Sequence, residues 1–594
     1  MVRQIFFALI ALPLSAQTVR YEVSVPDPST KLFRVEATFP TAGVDTLYVA
    51  LPAWSPGNYA IQNYARFVRH FGARDGSGRT LFWDRADKTT WRVPTGGAQA
   101  VSVSFEELTD TIDLSMARIH GDLAQFLGTN LFLYQPGHLD RPAEVRFSVP
   151  DGWRVTTALK SAGSGVYTAP NYDVLADAET FLGHFNVDSL QVGGKWIRIA
   201  VWPASDYTPA VQASMRASVS KMADVQDRLM GGAPYDVYTI FFDVVRDTIN
   251  WAGGLEHLYS QFDIMPAGPG FAAPDGTLGG FMNPLMAHEF FHLWNVKRIR
   301  PVEMWPYEYR DEQYTPLLWW SEGVTDYYAD LTNWRAHIWT DSDFIDHVHQ
   351  NIDQVNSAPE PWSEEDGSEA TWIDEVYVNS SQLYYPKGSL TGLLLDISIR
   401  DATDNGHSLD DVMRGLWTRY YQAGKGFSTA ELLDLLRENG APDVATFYQR
   451  YINGRDSLPY AAVFAKAGLD YHVEHSSVPT LGVSTSGANF AVLTGVNPGS
   501  VAAAAGLEPG DTLIRIGDVV PSATADFGPE FRGRYHGKAG APLDLVVHRA
   551  GRQLTLHATV RERDVENITL DLVRSPTAKQ ARIWHGLATG TTSR

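Results

Sequence analysis

Residues from about 18 to 183 alternate apolar and polar side chains in short runs, and nothing else in the chain restricts its fold as strongly. Tyr21-Glu22-Val23-Ser24-Val25, Arg34-Val35-Glu36-Ala37-Thr38-Phe39 and Val101-Ser102-Val103-Ser104-Phe105 all follow period two. That is the spacing at which successive side chains leave opposite faces of a strand. Ser55-Pro56-Gly57 and Gly76-Ser77-Gly78 interrupt the runs at turn-like intervals. The segment is expected to form an antiparallel β-sandwich, and no chemistry is visible in it.

From about 184 to 470 the pattern changes. A strand, Val237-Tyr238-Thr239-Ile240-Phe241-Phe242, precedes Gly/Pro-rich loops and then several helices. Asn283-Pro284 reads as an N-cap with proline at the first helical position, and Thr315-Pro316 opens the next helix similarly. Ser408 with Asp411 and Ser428 with Glu431 have the spacing of capping boxes. Residues from about 475 to 562 return to short strands around one helix-like stretch, Ser500 to Leu507. A tail, 563–594, carries no assignment. The chain is expected to be multidomain α+β, as its 594 residues require, since single cores stop growing well below that length.

The composition holds no cysteine, so thiol catalysis, disulfides and thiolate metal sites are excluded. Any metal must be held by His, Asp or Glu. The 48 basic and 69 acidic residues leave a net charge of −21, which argues against nucleic acid or anionic lipid as partner. Met1-Val2-Arg3 is a short positive region, followed by an apolar run from Ile5 to Leu14 and small residues at Ser15-Ala16. Residues 1–16 therefore read as a secretory signal peptide, and the protein as exported. The apolar run falls short of the roughly 20 residues that a membrane span requires, and no later segment reaches that length.

His288-Glu289-Phe290-Phe291-His292 carries the chemistry. Positions four apart share a helix face, so both imidazoles can reach one metal ion, with the Glu289 carboxylate beside them to act as a base toward water. Farther on, Ser321-Glu322-Gly323-Val324-Thr325-Asp326 places Glu322 and Asp326 four apart between aromatic flanks that suggest a buried helix. There, unpaired carboxylates are expensive. Glu322 is expected as the third protein ligand of one zinc ion, and Asp326 as acceptor for the other nitrogen of His288. The other acids of the intervening stretch, Glu303, Glu308, Asp311 and Glu312, lack that E-x-x-x-D pattern. The acidic run Ser363 to Gly367 lacks calcium-loop spacing and reads as a solvated loop. Taken alone, Glu256 reads as a surface carboxylate, and Tyr384 and Tyr385 as packing aromatics.

With Trp251-Ala252-Gly253-Gly254-Leu255-Glu256-His257 and Tyr385-Pro386-Lys387-Gly388 added to these segments, the chain resembles the glycyl aminopeptidase family. That family is related to the larger thermolysin-like aminopeptidases. Those larger relatives typically place the third ligand after a shorter gap, whereas Lys297-Arg298-Ile299-Arg300-Pro301 matches the glycyl family. The resemblance covers nearly the whole mature chain. It implies a β domain over 17–183 and a thermolysin-like, mainly helical zinc peptidase domain over 184–470. It further implies that Gly254-Leu255-Glu256 forms an edge strand whose Glu256 binds the substrate's free amine, that Tyr385 stabilises the tetrahedral intermediate, and that small N-terminal residues such as Gly or Ala are removed. His257 stands where those relatives have asparagine, so the role of that position stays open. Gly506-Leu507-Glu508-Pro509-Gly510-Asp511 with the strand after it resembles the core of a PDZ domain over 475–562, which implies a carboxylate-binding loop at Leu481, Gly482 and Val483 and a C-terminal peptide ligand. Two other readings remain at this point: an exported zinc endopeptidase with a structural Glu256, and a non-catalytic peptide-binding scaffold.

Overall fold

Strands form where the sequence alternates with period two. In the computed structural model, which describes residues 17–593 except 247, 248, 250, 359–361, 374–381, 487 and 488, they build a seven-stranded sheet. The proposed signal peptide lies outside the described residues. Phe33 in this sheet meets Phe126 in a second, four-stranded sheet at 5.5 Å between ring centroids, so apolar faces pack across a common core. One feature departs from an all-antiparallel sandwich. Val19–Ser24 pairs antiparallel with Leu32–Pro40 but parallel with Ala143–Ser148. Parallel neighbours need a long crossover, and most of this domain lies between those two strands.

A five-stranded sheet follows, in the order Asn186–Val192, Lys195–Trp202, Val237–Val245, Ser260–Pro266, Gly253–Glu256. Its three central strands are parallel, and the helix Pro209–Met230 makes the crossover between the first two. Gly253–Glu256 is the edge, antiparallel to Ser260–Pro266.

The helix Met282–Phe291 starts earlier than Asn283-Pro284 suggested. Its N-cap is Phe281, without a side-chain cap, and Asn283 lies inside the first turn. Pro284 is tolerated there because the first N–H groups of a helix have no partner within it. The next helical segment also begins later than expected. After a turn at Thr315-Pro316, a π-helical stretch, Trp319–Gly323, runs into the α-helix Val324–Arg335. A Cβ on Gly323 would lie 2.3 Å from the Tyr384 carbonyl and 2.6 Å from the Gly388 Cα. This absence of side chains lets the stretch touch the helix Tyr384–Ala402 backbone to backbone. Ser428 opens its helix with a capping box, and at Ser408 the return half forms, from its N–H to Asp411 Oδ2 at 3.0 Å.

Ser363 to Gly367 is not a solvated loop. Ser363 caps the helix Glu364–Ala370, whose acidic first turn suits the positive end of the helix. Glu364 is buried and accepts a 2.6 Å hydrogen bond from Thr391 Oγ1. The protein divides into two compact units, 1–469 with 573–594, and 470–572. Residues 563–594 are therefore not a tail. The strand Arg561–Leu572 pairs with Leu469–Thr480, and the helix Ala578–Thr589 belongs to the first unit. There, Arg335 Nε donates to the Leu587 carbonyl at 2.9 Å, and Arg400 Nη1 to the Thr591 carbonyl at 3.0 Å.

The second unit holds a five-stranded sheet with Val483–Ser486 at one edge, and a core that includes Leu493, Leu513 and Leu545. Ser500 caps the short helix Val501–Ala505. A further helix, Gly528–Tyr535, is not announced by the sequence pattern, because only Phe531 and Tyr535 mark its buried face. Among the described residues no helix is long and apolar enough to cross a membrane.

Candidate active site

His288 and His292 stand one turn apart, the second as the C-cap of its helix with helical dihedrals. Their free ring nitrogens converge, with Nε2 to Nε2 at 2.8 Å. Glu322 Oε2 completes the triangle, 3.5 Å from the first Nε2 and 3.2 Å from the second. Each outer nitrogen is committed. His288 Nδ1 donates to Asp326 Oδ1 at 2.7 Å, and His292 Nδ1 to the Asn295 carbonyl at 2.6 Å. Both Nε2 atoms are thereby left as lone-pair donors.

Two lone pairs and a carboxylate oxygen pressed this close repel one another unless a cation lies among them. Ligands about 2.0–2.1 Å from a tetrahedral zinc stand about 3.3 Å apart, close to the edges of this triangle. The donor set fits a zinc ion held by His288, His292 and Glu322. All three are buried. Burial alone would push the Glu322 carboxyl up, but the two imidazoles outweigh it and hold it far below the usual range. The π-helical turn at Trp319–Gly323 carries Glu322, and the α-helix after it carries Asp326, so both acids reach His288, one at each ring nitrogen. Extra-residue turns of this kind often occur at functional positions.

The remaining carboxylates surround this triangle. Glu289 is buried, and burial, the Glu256 and Glu322 charges and Asp263 all push its carboxyl up, against the opposing effect of His288. Glu256, on the edge strand, is also buried rather than a surface carboxylate. One of its oxygens lies within 4.8 Å of ligand atoms of both His292 and Glu322. Lys297 Nζ stands 3.8 Å from Glu256 Oε1 while donating to Asp177 Oδ1 and to the Pro56 carbonyl, each at 2.9 Å. Burial works against the ammonium, but Asp177 and Glu256 outweigh it and keep Lys297 charged. His257, whose role the sequence left open, points inward: its Nδ1 meets Asp177 Oδ1 at 3.2 Å. It supports the Lys297–Asp177 pair from beneath.

Two contributions come from the β domain, in which the sequence pattern shows no chemistry. Tyr59 donates a 2.6 Å hydrogen bond to Glu322 Oε1, the oxygen facing away from the histidine nitrogens. Burial and the Glu322 charge hold this phenol protonated. Gly57 adopts a φ of +106°, and a Cβ there would lie 2.5 Å from Glu256 Oε2. Only glycine lets this loop close over Glu256. Neither residue stands in a recognisable motif; the Ser55-Pro56-Gly57 turn is the single hint.

Tyr385 is half-buried, with its ring 6.0 Å from that of His288, and it lines two cavities. One, of about 420 Å³, runs between Tyr59, Trp251 and Leu255. The other, of about 480 Å³, lies beside Glu289 and Asp326. Tyr384 borders the first cavity too, but it is buried and accepts a hydrogen bond from Thr371, whereas Tyr385 lines both. Leu481, Gly482 and Val483 belong to the other unit, at the start of its edge strand.

Comparison with known proteins agrees with this arrangement. Residues 20–184 match the family model described as the peptidase M61 N-terminal domain, and 282–391 the one described as M61 glycyl aminopeptidase. No curated protein matches the sequence. An aminopeptidase N family protein from Idiomarina loihiensis has the same fold. It is 23% identical, with a TM-score of 0.83 over 96% of this chain and all of that one. An M1 zinc metallopeptidase mutant from Deinococcus radiodurans, solved with a Tyr-Ser-Ala substrate, is 16% identical with a TM-score of 0.48, over 75% of this chain and 95% of its own.

Proposed function

We propose that the chain is a zinc aminopeptidase of the M61 glycyl aminopeptidase family, whose models match 20–184 and 282–391, and that it removes single N-terminal residues from peptides, small ones such as Gly or Ala, with one zinc ion. The position of Glu256 carries this reading. In a residue at a free N-terminus, the amine and the scissile carbonyl are separated by a single Cα, only a few ångströms. A carboxylate that anchors the amine must then sit almost against the metal ligands, as Glu256 does. The Gly57 loop lies directly on that carboxylate and holds it in place beside the ligands. An endopeptidase needs no amine anchor at that position, and a non-catalytic scaffold needs neither Glu289 nor the converged nitrogens.

Bound zinc supplies Lewis acidity toward the peptide carbonyl and toward water. The side chains do the rest. Glu256 pairs with the substrate ammonium and fixes the distance to the scissile bond. Glu289 takes a proton from the attacking water at its carboxylate and delivers it to the departing amine. The Tyr385 hydroxyl donates to the oxygen that gains charge. Asp326, the Asn295 carbonyl and Tyr59 hold the three ligands in orientation. Tyr59→Phe should therefore lower zinc affinity about 10- to 100-fold with the fold intact, measured by competition with a chelator.

Export through residues 1–16 belongs to this reading, supported by the positive start and apolar run. So does a peptide ligand held by its C-terminal carboxylate at Leu481, Gly482 and Val483, supported by the position of Val483–Ser486 at its sheet edge. The deciding experiment for the enzyme compares a free-amine dipeptide amide with its acetylated form, with zinc content measured alongside. Cleavage of the free form at least about a hundredfold faster than the acetylated form is expected. Equal cleavage of both would make the protein an endopeptidase, and no zinc with no cleavage would make it a scaffold.

A further inference from the structure

The cavity of about 480 Å³ lies on the Glu289 side of the triangle, away from Tyr59 and Gly57. If the amine is held at Glu256, the departing part of the substrate leaves into this space, so the role of the cavity rests on the function proposed above. The helix Asp341–Ser357 forms one wall. His347, Asn351 and Gln354 are spaced four and three residues apart on it, hence on one face, and all three line the cavity. A wall of amide and imidazole groups suits a polar ligand.

The charges in this cavity are not equally available. Asp326 is engaged by His288 Nδ1 at 2.7 Å, and Glu289 is the proposed base. Asp330 is buried and accepts from His347 Nδ1 at 3.0 Å. Among the described lining residues only His288 and His347 can carry positive charge, and both nitrogens of His288 are committed. With Nδ1 spent on Asp330, the remaining donor of His347 is Nε2, on a side chain that is 31% exposed. Burial opposes the imidazolium, but Asp330 and then Asp326 outweigh it, raising His347 to about 9. A cation fixed by a buried acid on the wall of a leaving-group cavity is a fitting partner for an anion on the leaving group.

We propose that His347, with Asn351 and Gln354, binds the free C-terminal carboxylate of short substrates, so that the enzyme favours di- and tripeptides over longer or C-terminally blocked ones. Asp330 acts through His347, as a positioning residue. A charge-assisted hydrogen bond of this kind contributes enough for about a tenfold difference or more.

The test measures kcat/KM for Ala-Gly and for its C-terminal amide, on the zinc-loaded wild type and on His347→Gln and His347→Lys. The expected ratio of acid to amide is about ten or more in wild type, expressed mainly in KM, because the carboxylate takes no part in the bond change. It should fall close to one in His347→Gln, which keeps a donor for Asp330 but loses the charge, and recover in part in His347→Lys. A wild-type ratio near one, or a ratio that survives His347→Gln, overturns the proposal. Alanine p-nitroanilide has no carboxylate and separates the two levels of the argument. If it is cleaved while the ratio is one, only the subsite falls. If no free-amine substrate is cleaved at all, the aminopeptidase mechanism falls and the subsite with it.

Discussion

Glu289→Gln is expected to lower kcat by about a thousandfold while zinc content stays at the wild-type level. The substitution keeps the shape of the side chain and removes its ability to accept a proton. Glu289 is not among the three atoms that converge on the metal position, so its loss should not empty the site. Stability should not suffer either. Burial pushes the pKa of this carboxyl up, and against the opposing effect of His288 the Glu256, Asp263 and Glu322 charges push it further. A neutral amide relieves that repulsion, so Tm should equal or exceed the wild-type value. A kcat within tenfold of wild type would remove Glu289 from the mechanism. Loss of zinc would mean that it acts as a ligand.

Glu256→Gln is expected to lower kcat/KM for free-amine peptides by about a hundredfold, leaving the slow turnover of acetylated peptides untouched. Replacing the charged partner of a desolvated ammonium typically costs about 2–5 kcal/mol, of which the retained amide oxygen recovers part. The fold should survive, because Lys297 keeps Asp177 and the Pro56 carbonyl when its weaker contact, at 3.8 Å, disappears. The two variants differ in kind. Glu289→Gln slows every substrate alike, whereas Glu256→Gln erases the distinction between free and blocked ends. If free-amine preference persisted in Glu256→Gln, the amine would be held elsewhere, and the closed Gly57 loop would need another explanation.

Much of this site is legible in the amino-acid order, for a physical reason. Metal ligands on one helix must recur with helical spacing, so His288 and His292 announce themselves, and Glu322 with Asp326 repeats that logic on the next helix. Tyr59 and Gly57 obey no such spacing. They lie in a loop of the β domain whose local sequence is fixed by turn geometry, and only tertiary packing brings them to Glu322 and Glu256. The same holds for Lys297, which looks like one cation in a basic run and proves to be a buried counter-ion. The β domain itself is readable from period two, but not its parallel strand pair, since alternation fixes faces and says nothing of neighbours. The C-terminal helix escapes notice because 563–594 shows no strong pattern until Arg335 and Arg400 are seen waiting for its carbonyls.

That return of the polypeptide has a consequence for the order in which the protein assembles during synthesis. Arg400 is fully buried and spends one nitrogen on the Thr591 carbonyl, nearly two hundred positions later (591 − 400 = 191). The intervening residues 470–572 form a unit of their own. The ribosome therefore makes every ligand and base of the active site, then an entire second unit, before it makes the helix that completes the packing around Arg335 and Arg400. Domains fold as they emerge, at about 5–20 residues per second. For several seconds the catalytic unit must hold the seat of that helix open at its own surface, with Arg335 and Arg400 paired to Asp410 and Asp396 but lacking the carbonyls that complete them.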